Sequence, residues 1–180
     1  LEHAIRETGA RVLFIGAECL DQFLEIQPAT EGLEVFVIRD GDVPLPRLPA
    51  AFVDLSSTID TVPPLENAPD HRRSVRSTDA CFLVFTSGTT GLPKAARIGH
   101  RRYLGVGEGW KTIANLGPDD VFYCSLPLFH GAALYSLFST VIATGGTMLV
   151  RRKFSTSRFW PDVHRHRATV FQYVGEVCRY

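Results

Sequence analysis

The sequence predicts an α/β fold, with mostly parallel sheets flanked by helices. Helix-type and strand-type segments alternate along the chain. The strand-type segments are apolar runs, and Gly and Pro punctuate the junctions. "LEHAIRET" reads as a helix ended by Gly9, and "ARVLFIG" as a strand. "AECLDQFLEI" places Leu20, Phe23, Leu24 and Ile26 on one helical stripe, stopped by Pro28. "LEVFVIRD" is the next strand. Residues 41–79 break the rhythm: six of the eleven prolines fall there, at 44, 46, 49, 63, 64 and 69, and the stretch reads as a long connection or a linker between lobes.

From Ala80 the alternation resumes. "ACFLVF" is a buried strand, "KAARIG" a return strand, and "HRRYLGVGEGWKTIANLGP" a helix with Tyr103, Val106, Trp110 and Ile113 near one face. Its glycines at 105, 107 and 109 each cost about 1 kcal/mol relative to Ala. "DVFYCSL" is a strand leading into "PLFHG". Gly131 to Val150 carries no charge and is long enough to cross a bilayer, but Gly145-Gly146 splits it and it holds several Ser and Thr. A buried helix over about 131–143 and a strand over 146–151 fit it better. Ser155 or Ser157 caps a helix reaching about Arg167, with Pro161 near its first turn, and "ATVFQYVG" is the last strand.

Composition bounds the function. A chain of 180 residues with 45% apolar and 21% charged residues suits a globular domain with a real core. Lys+Arg and Asp+Glu balance at 19 each, which excludes the basic excess of a nucleic-acid binder. Cys19, Cys81, Cys124 and Cys178 are widely spaced, as reduced core thiols of a cytoplasmic protein are. His164 and His166 do not share a helical face and make a poor metal pair. The chain opens without Met in what reads as mid-helix and ends without a closing turn, so an internal fragment is expected.

"FTSGTTGLPK", Phe85 to Lys94, is the stretch richest in chemistry. Ser87, Thr89 and Thr90 bring hydroxyl donors, Gly88 and Gly91 allow a sharp turn with converging N–H groups, and Lys94 adds a charge. A polyphosphate fits such a cradle; an ordinary surface turn is the alternative. It is no Walker A loop, because two residues separate Gly91 from Lys94, one of them Pro93, and the residues after Lys94 read as strand.

"FTSGTTGLPKAA" resembles the signature phosphate loop of the adenylate-forming superfamily, complete from Thr86 to Lys94. "LPLFHG", Leu126 to Gly131, resembles the second signature. "RRKFSTSRFW" and "VFQYVGEVCRY" look like the branch of fatty-acid transport proteins, or very-long-chain acyl-CoA synthetases. The resemblance implies that residues 1–180 are part of the large N-terminal AMP-binding domain, with the mobile C-terminal domain absent. It implies a ligase that activates a long-chain fatty acid with ATP to acyl-AMP and transfers it to coenzyme A, coupled to fatty acid uptake. It also suggests membrane association. On the same grounds Thr86, Ser87, Gly88, Thr89, Thr90, Gly91 and Lys94 would hold the β- and γ-phosphates. His130 and Phe129 would sit at the acyl site, with the run from Ala132 to Phe138 lining a tunnel. The ligands of Mg2+ are expected outside this stretch, so the isolated 180-residue polypeptide is expected to be inactive. The rival readings are a non-catalytic lipid- or nucleotide-binding module and a ligase for another carboxylic acid.

Overall fold

The computed structural model describes residues 1–25, 32–39, 45, 47–62, 74–86 and 92–179, with the backbone alone at 176 and 178. The chain divides into two units: Leu1–Ser74 with Phe85–Ala95, and Val75–Val84 with Ala96–Tyr180.

The first unit opens with α1 (Glu2–Thr8), closed by Gly9 in the left-handed region at φ 61°. Next come β1 (Val12–Gly16), a 3-10 turn (Ala17–Cys19), α2 (Leu20–Leu24), β2 (Glu34–Ile38) and β3 (Phe52–Asp54). The strands form a parallel sheet in the order β1-β2-β3, with Ile15 opposite Val37 and Val35 opposite Phe52. Alternation turns Ile15, Val35 and Val37 toward Leu20 and Phe23 of α2, and these five form the buried core. Burying Leu20 or Phe23, at 0% and 1% exposure, contributes about 1.5–3 kcal/mol each.

The Pro-rich stretch is therefore not connection throughout. It holds β3, α3 (Leu55–Thr58) and a 3-10 turn (Ile59–Thr61). Asp54 caps α3 by accepting from the Ser56 N–H at 3.0 Å. Three strand residues after Pro49 are too few to show a period in the sequence.

In chain order follow β4 (Ala80–Thr86), β5 (Lys94–Gly99), which pairs with β4, α4 (His100–Ile113), and β6 (Val121–Cys124). A π-helical run (Ala132–Phe138) then continues into α5 (Ser139–Thr144), and β7 (Thr147–Val150), α6 (Thr156–His166), β8 (Val170–Phe171) and a 3-10 turn (Gly175–Arg179) complete the chain. The sheet of the second unit is parallel, in the order β7-β6-β8. The chain leaves β6 toward one edge and returns past it to the other. Right-handed crossovers then put α5 and α6 on opposite faces. Phe122 accordingly packs with Ala133, Leu137 and Val141, whereas Tyr123 meets Phe159 and Phe171 edge-on at 5.2 and 5.7 Å.

The uncharged stretch is a core helix. Ser139, Thr140 and Thr144 are buried, and their hydroxyls donate to the carbonyls of Tyr135, Ser136 and Thr140 at 2.7–2.9 Å, which satisfies them without water. Among the described residues no helix is long and apolar enough to cross a membrane. The expected face of α4 differs: Tyr103 and Gly107 are buried, while Ile113 is 79% exposed. Gly107 sets this rotation, because a Cβ there would lie 2.2 Å from the Ser139 carbonyl oxygen. Pro161 also sits deeper than expected, within the second turn of α6.

The buried Asp162 carboxylate takes a two-pronged bond from Arg151, with Nε donating at 2.8 Å and Nη2 to the other oxygen, and a bond from the Tyr123 hydroxyl at 3.4 Å. Bonding to Arg151, foremost, holds the Asp162 carboxyl below the usual carboxylate range.

Gly107→Ala is expected to destabilise the protein by about 1–3 kcal/mol in urea unfolding, although Ala is the better helix former. Because the folded-state value of Asp162 is depressed, its stabilisation is present above the unfolded value, about 3.9, and is lost as pH falls through the folded value. Unfolding midpoints between about pH 5 and pH 2 should therefore drop more steeply in the wild type than in Asp162→Asn.

Candidate active site

β4 ends at Thr86 and β5 begins at Lys94, so the Ser/Thr/Gly-rich loop joins two paired strands. Both ends are held. The Thr86 hydroxyl donates to the Lys94 carbonyl at 3.5 Å, and the Pro93 carbonyl accepts from His3 Nε2 at 2.7 Å. The His3 ring also meets Phe85 edge-on at 6.4 Å. The Lys94 side chain is exposed. Ser87, Gly88, Thr89, Thr90 and Gly91 lie outside the described residues.

The second signature begins just beyond the carboxyl end of β6. The chain enters β7 on one side of β6 and β8 on the other, and crevices at such reversals are where open parallel sheets bind ligands. The turn after Pro127 is closed by the His130 N–H donating to the Pro127 carbonyl at 2.9 Å. His130 Nδ1 then accepts from the Ala132 N–H at 3.1 Å, and the His130 carbonyl accepts from Leu134 at 3.0 Å. The ring thus caps the π-helical run. With Nδ1 turned to the backbone, Nε2 is the ring nitrogen that can meet another group.

Within the second unit lies a mainly apolar cavity of about 370 Å³. Its lining includes Trp110, Phe122, Leu137, Thr140, Phe171 and Gln172. That volume falls in the range of small-molecule pockets. Leu137 and Ser136 bring the predicted apolar run to its wall, but Phe129 is 83% exposed and does not line it. Phe129 lies on the tight turn between Pro127 and His130. Trp110, read from the sequence only as part of a helix face, and Gln172, not read from it at all, are lining residues that the sequence does not assign to a site. The only hints are an aromatic in a Gly-rich helix and an amide inside an apolar strand. The Gln172 Oε1 is buried without a partner. Among the described residues no three His, Cys, Asp or Glu converge on a metal-sized site.

A family profile described as AMP-binding enzyme matches residues 1–180. The chain belongs to the AMP-binding enzyme family. It is 37% identical over 183 aligned residues to long-chain fatty acid transport protein 3 of Homo sapiens, covering 100% of this chain and 26% of that protein. It is 42% identical over 124 residues to the medium/long-chain-fatty-acid–CoA ligase FadD6 of Mycobacterium tuberculosis, covering 67% of this chain and 20% of that one. The chain therefore spans about a quarter of the length of these relatives. The fold matches ATP-bound MatB from Rhodopseudomonas palustris with a TM-score of 0.73 at 19% identity, over 94% of this chain and 31% of that one. It matches the anthranilate CoA ligase AuaEII in complex with anthranoyl-AMP at 0.76 and 24% identity, over 94% and 32%. This member of the AMP-binding enzymes thus shares its mixed α/β architecture with parallel sheets with both of those structures.

His130→Ala should destabilise the protein by about 1 kcal/mol through loss of the helix cap, and His130→Asn, which can cap through its own oxygen, by much less. Thermal unfolding of the two variants side by side checks this.

Proposed function

We propose that the whole protein is an ATP-dependent ligase joining a long-chain fatty acid to coenzyme A. The observation that carries this reading is the complete Thr86–Lys94 signature, seated between paired strands, in a chain 37% identical end to end to a long-chain fatty acid transport protein.

An ionised carboxylate is a poor acyl donor, because its leaving group would be oxide. In the first half-reaction a carboxylate oxygen attacks the α-phosphorus of ATP, the bond to the bridging oxygen breaks, and pyrophosphate leaves with the negative charge. In the second, a thiolate of coenzyme A attacks the acyl carbon and AMP departs, taking the electrons of the acyl–oxygen bond. Neither half needs a covalent bond to the protein. The work of the chain is positioning and charge stabilisation.

On this reading Thr86, Ser87, Thr89 and Thr90 donate to the β- and γ-phosphate oxygens, Gly88 and Gly91 let the backbone approach, and Lys94 balances charge on the departing pyrophosphate. His130 presents Nε2–H to the reacting carboxylate from the carboxyl end of β6. The apolar cavity receives acyl chain, with Leu137 and Phe122 as its walls. Phe129, on the exposed turn, would meet the substrate at the mouth of that site. The described residues offer no cage for Mg2+, and no step is assigned to it. Activation to the coenzyme A ester inside a cell would trap an acid that has crossed the membrane, which joins ligase chemistry to fatty acid uptake and places the protein in the cytoplasm or at a membrane surface.

In acid-dependent ATP–pyrophosphate exchange, the whole protein should respond to long-chain fatty acids and much less to acetate, benzoate or amino acids. Exchange driven best by a short or aromatic acid, or none with any acid, would overturn the reading. Lys94→Ala should slow exchange about 100-fold. His130→Asn should slow it about 10-fold or more while leaving the fold intact.

A further inference from the structure

The stretch "RRKFSTSRFW" has no part in the reaction above. It joins β7 to α6 on the face of the second sheet opposite the apolar cavity, since Phe122 lines the cavity and its neighbour Tyr123 lines a cleft on the other side. The cleft encloses about 550 Å³. Arg151, Arg152, Lys153 and Arg158 line it, together with Ser155 and Asp162. From Arg151 to Arg167 stand six Lys or Arg and a single acid, Asp162, in a chain whose charges balance at 19 and 19 over its whole length.

That acid offsets one of the four cations that line the cleft. Both Asp162 oxygens are engaged by Arg151, and the Tyr123 hydroxyl adds a third bond. The pairing fixes the Arg151 fork through Nε and Nη2 in the wall of the cleft. Lys153 and Arg158 are exposed and flank it. Ser155, the residue before α6, also lines the cleft and makes no side-chain cap to the helix. A fixed guanidinium and two exposed cations around one concavity are the recognition chemistry of a phosphate group.

We propose that this cleft is a second anion site, separate from the Thr86–Lys94 loop, that binds the phosphate group of a ligand through Arg151, Lys153 and Arg158. The concave shape favours a compact phosphate over an extended polyanion. Two sources carry that chemistry, a soluble phosphate ester and the phosphate headgroup of an anionic lipid.

The test uses the whole protein carrying Lys94→Ala, so that the first loop is silenced. Inorganic phosphate is titrated calorimetrically, and phosphatidylcholine vesicles with and without phosphatidic acid are assayed by co-sedimentation. Lys153→Gln with Arg158→Gln should weaken binding of the responding probe at least about 10-fold, roughly one decade per 1.4 kcal/mol of lost contact. Arg165→Gln, on the same helix but outside the cleft, should change it less than about twofold. All these side chains are exposed, and unchanged thermal unfolding checks that the variants fold. Binding of free phosphate assigns a soluble ester, and response only to phosphatidic acid vesicles assigns a lipid headgroup. Binding of neither probe overturns the proposal. So does loss equal in Arg165→Gln, which would mean diffuse attraction by the basic helix.

Discussion

The second unit depends on a four-residue strand being paired on both sides. β6 lies between β7 and β8, and its two central side chains must therefore face opposite ways. Phe122 supports the π-helical run and α5, and Tyr123 supports α6 through Phe159 and Asp162. Both are essentially fully buried. The apolar cavity and the basic cleft follow from that alternation, because each is what remains between the sheet and the helix on its side. Slipping β6 by one residue would exchange the two environments, placing a phenol in the apolar core and a phenyl ring against the Arg151–Asp162 pair. The pairing thus specifies more than stability. It separates a region suited to hydrocarbon from one suited to negative charge by the thickness of one sheet.

The first signature is organised on a different principle. Helix dipoles do not serve it, since strands bound the loop on both sides. Its anchors are short contacts at the base: Thr86 to Lys94, His3 to Pro93, His3 against Phe85. Pro93 has no N–H to give, so its carbonyl is the group available for anchoring, and α1 supplies the donor. The second signature is organised by a cap. His130 commits Nδ1 to the backbone and so holds the ring against the start of the π-helical run.

Much of this is legible in the sequence, and the rest is not for definite reasons. The parallel α/β class, the Gly9 and Gly145 helix ends and the return strand at Lys94 come from periodicity and punctuation, which are local signals. The three-residue β3 carries no period. The buried face of α4 is misread from its pattern because the decisive residue is a glycine: Gly107 is invisible to a hydrophobic pattern but is where the Ser139 carbonyl approaches. The Thr86–Lys94 signature can be read because its residues are contiguous. The cavity cannot, because Trp110, Leu137 and Gln172 come from three elements that only the fold brings together. The basic cleft is visible as a charge run, yet its meaning depends on seeing Asp162 already occupied by Arg151.

The π-helical run has a genetic consequence. A π turn holds one residue more than an α turn and closes through weaker i→i+5 bonds, so seven such residues between Gly131 and Ser139 amount to a surplus position carried inside a helix. Losing one codon there would relax the run to ordinary α-helix and gain backbone stability. The change from π to α absorbs the missing residue, so the side chains beyond it keep roughly their facing toward the cavity and the sheet. A single-residue deletion in that window is therefore the change of length that this helix accommodates most readily.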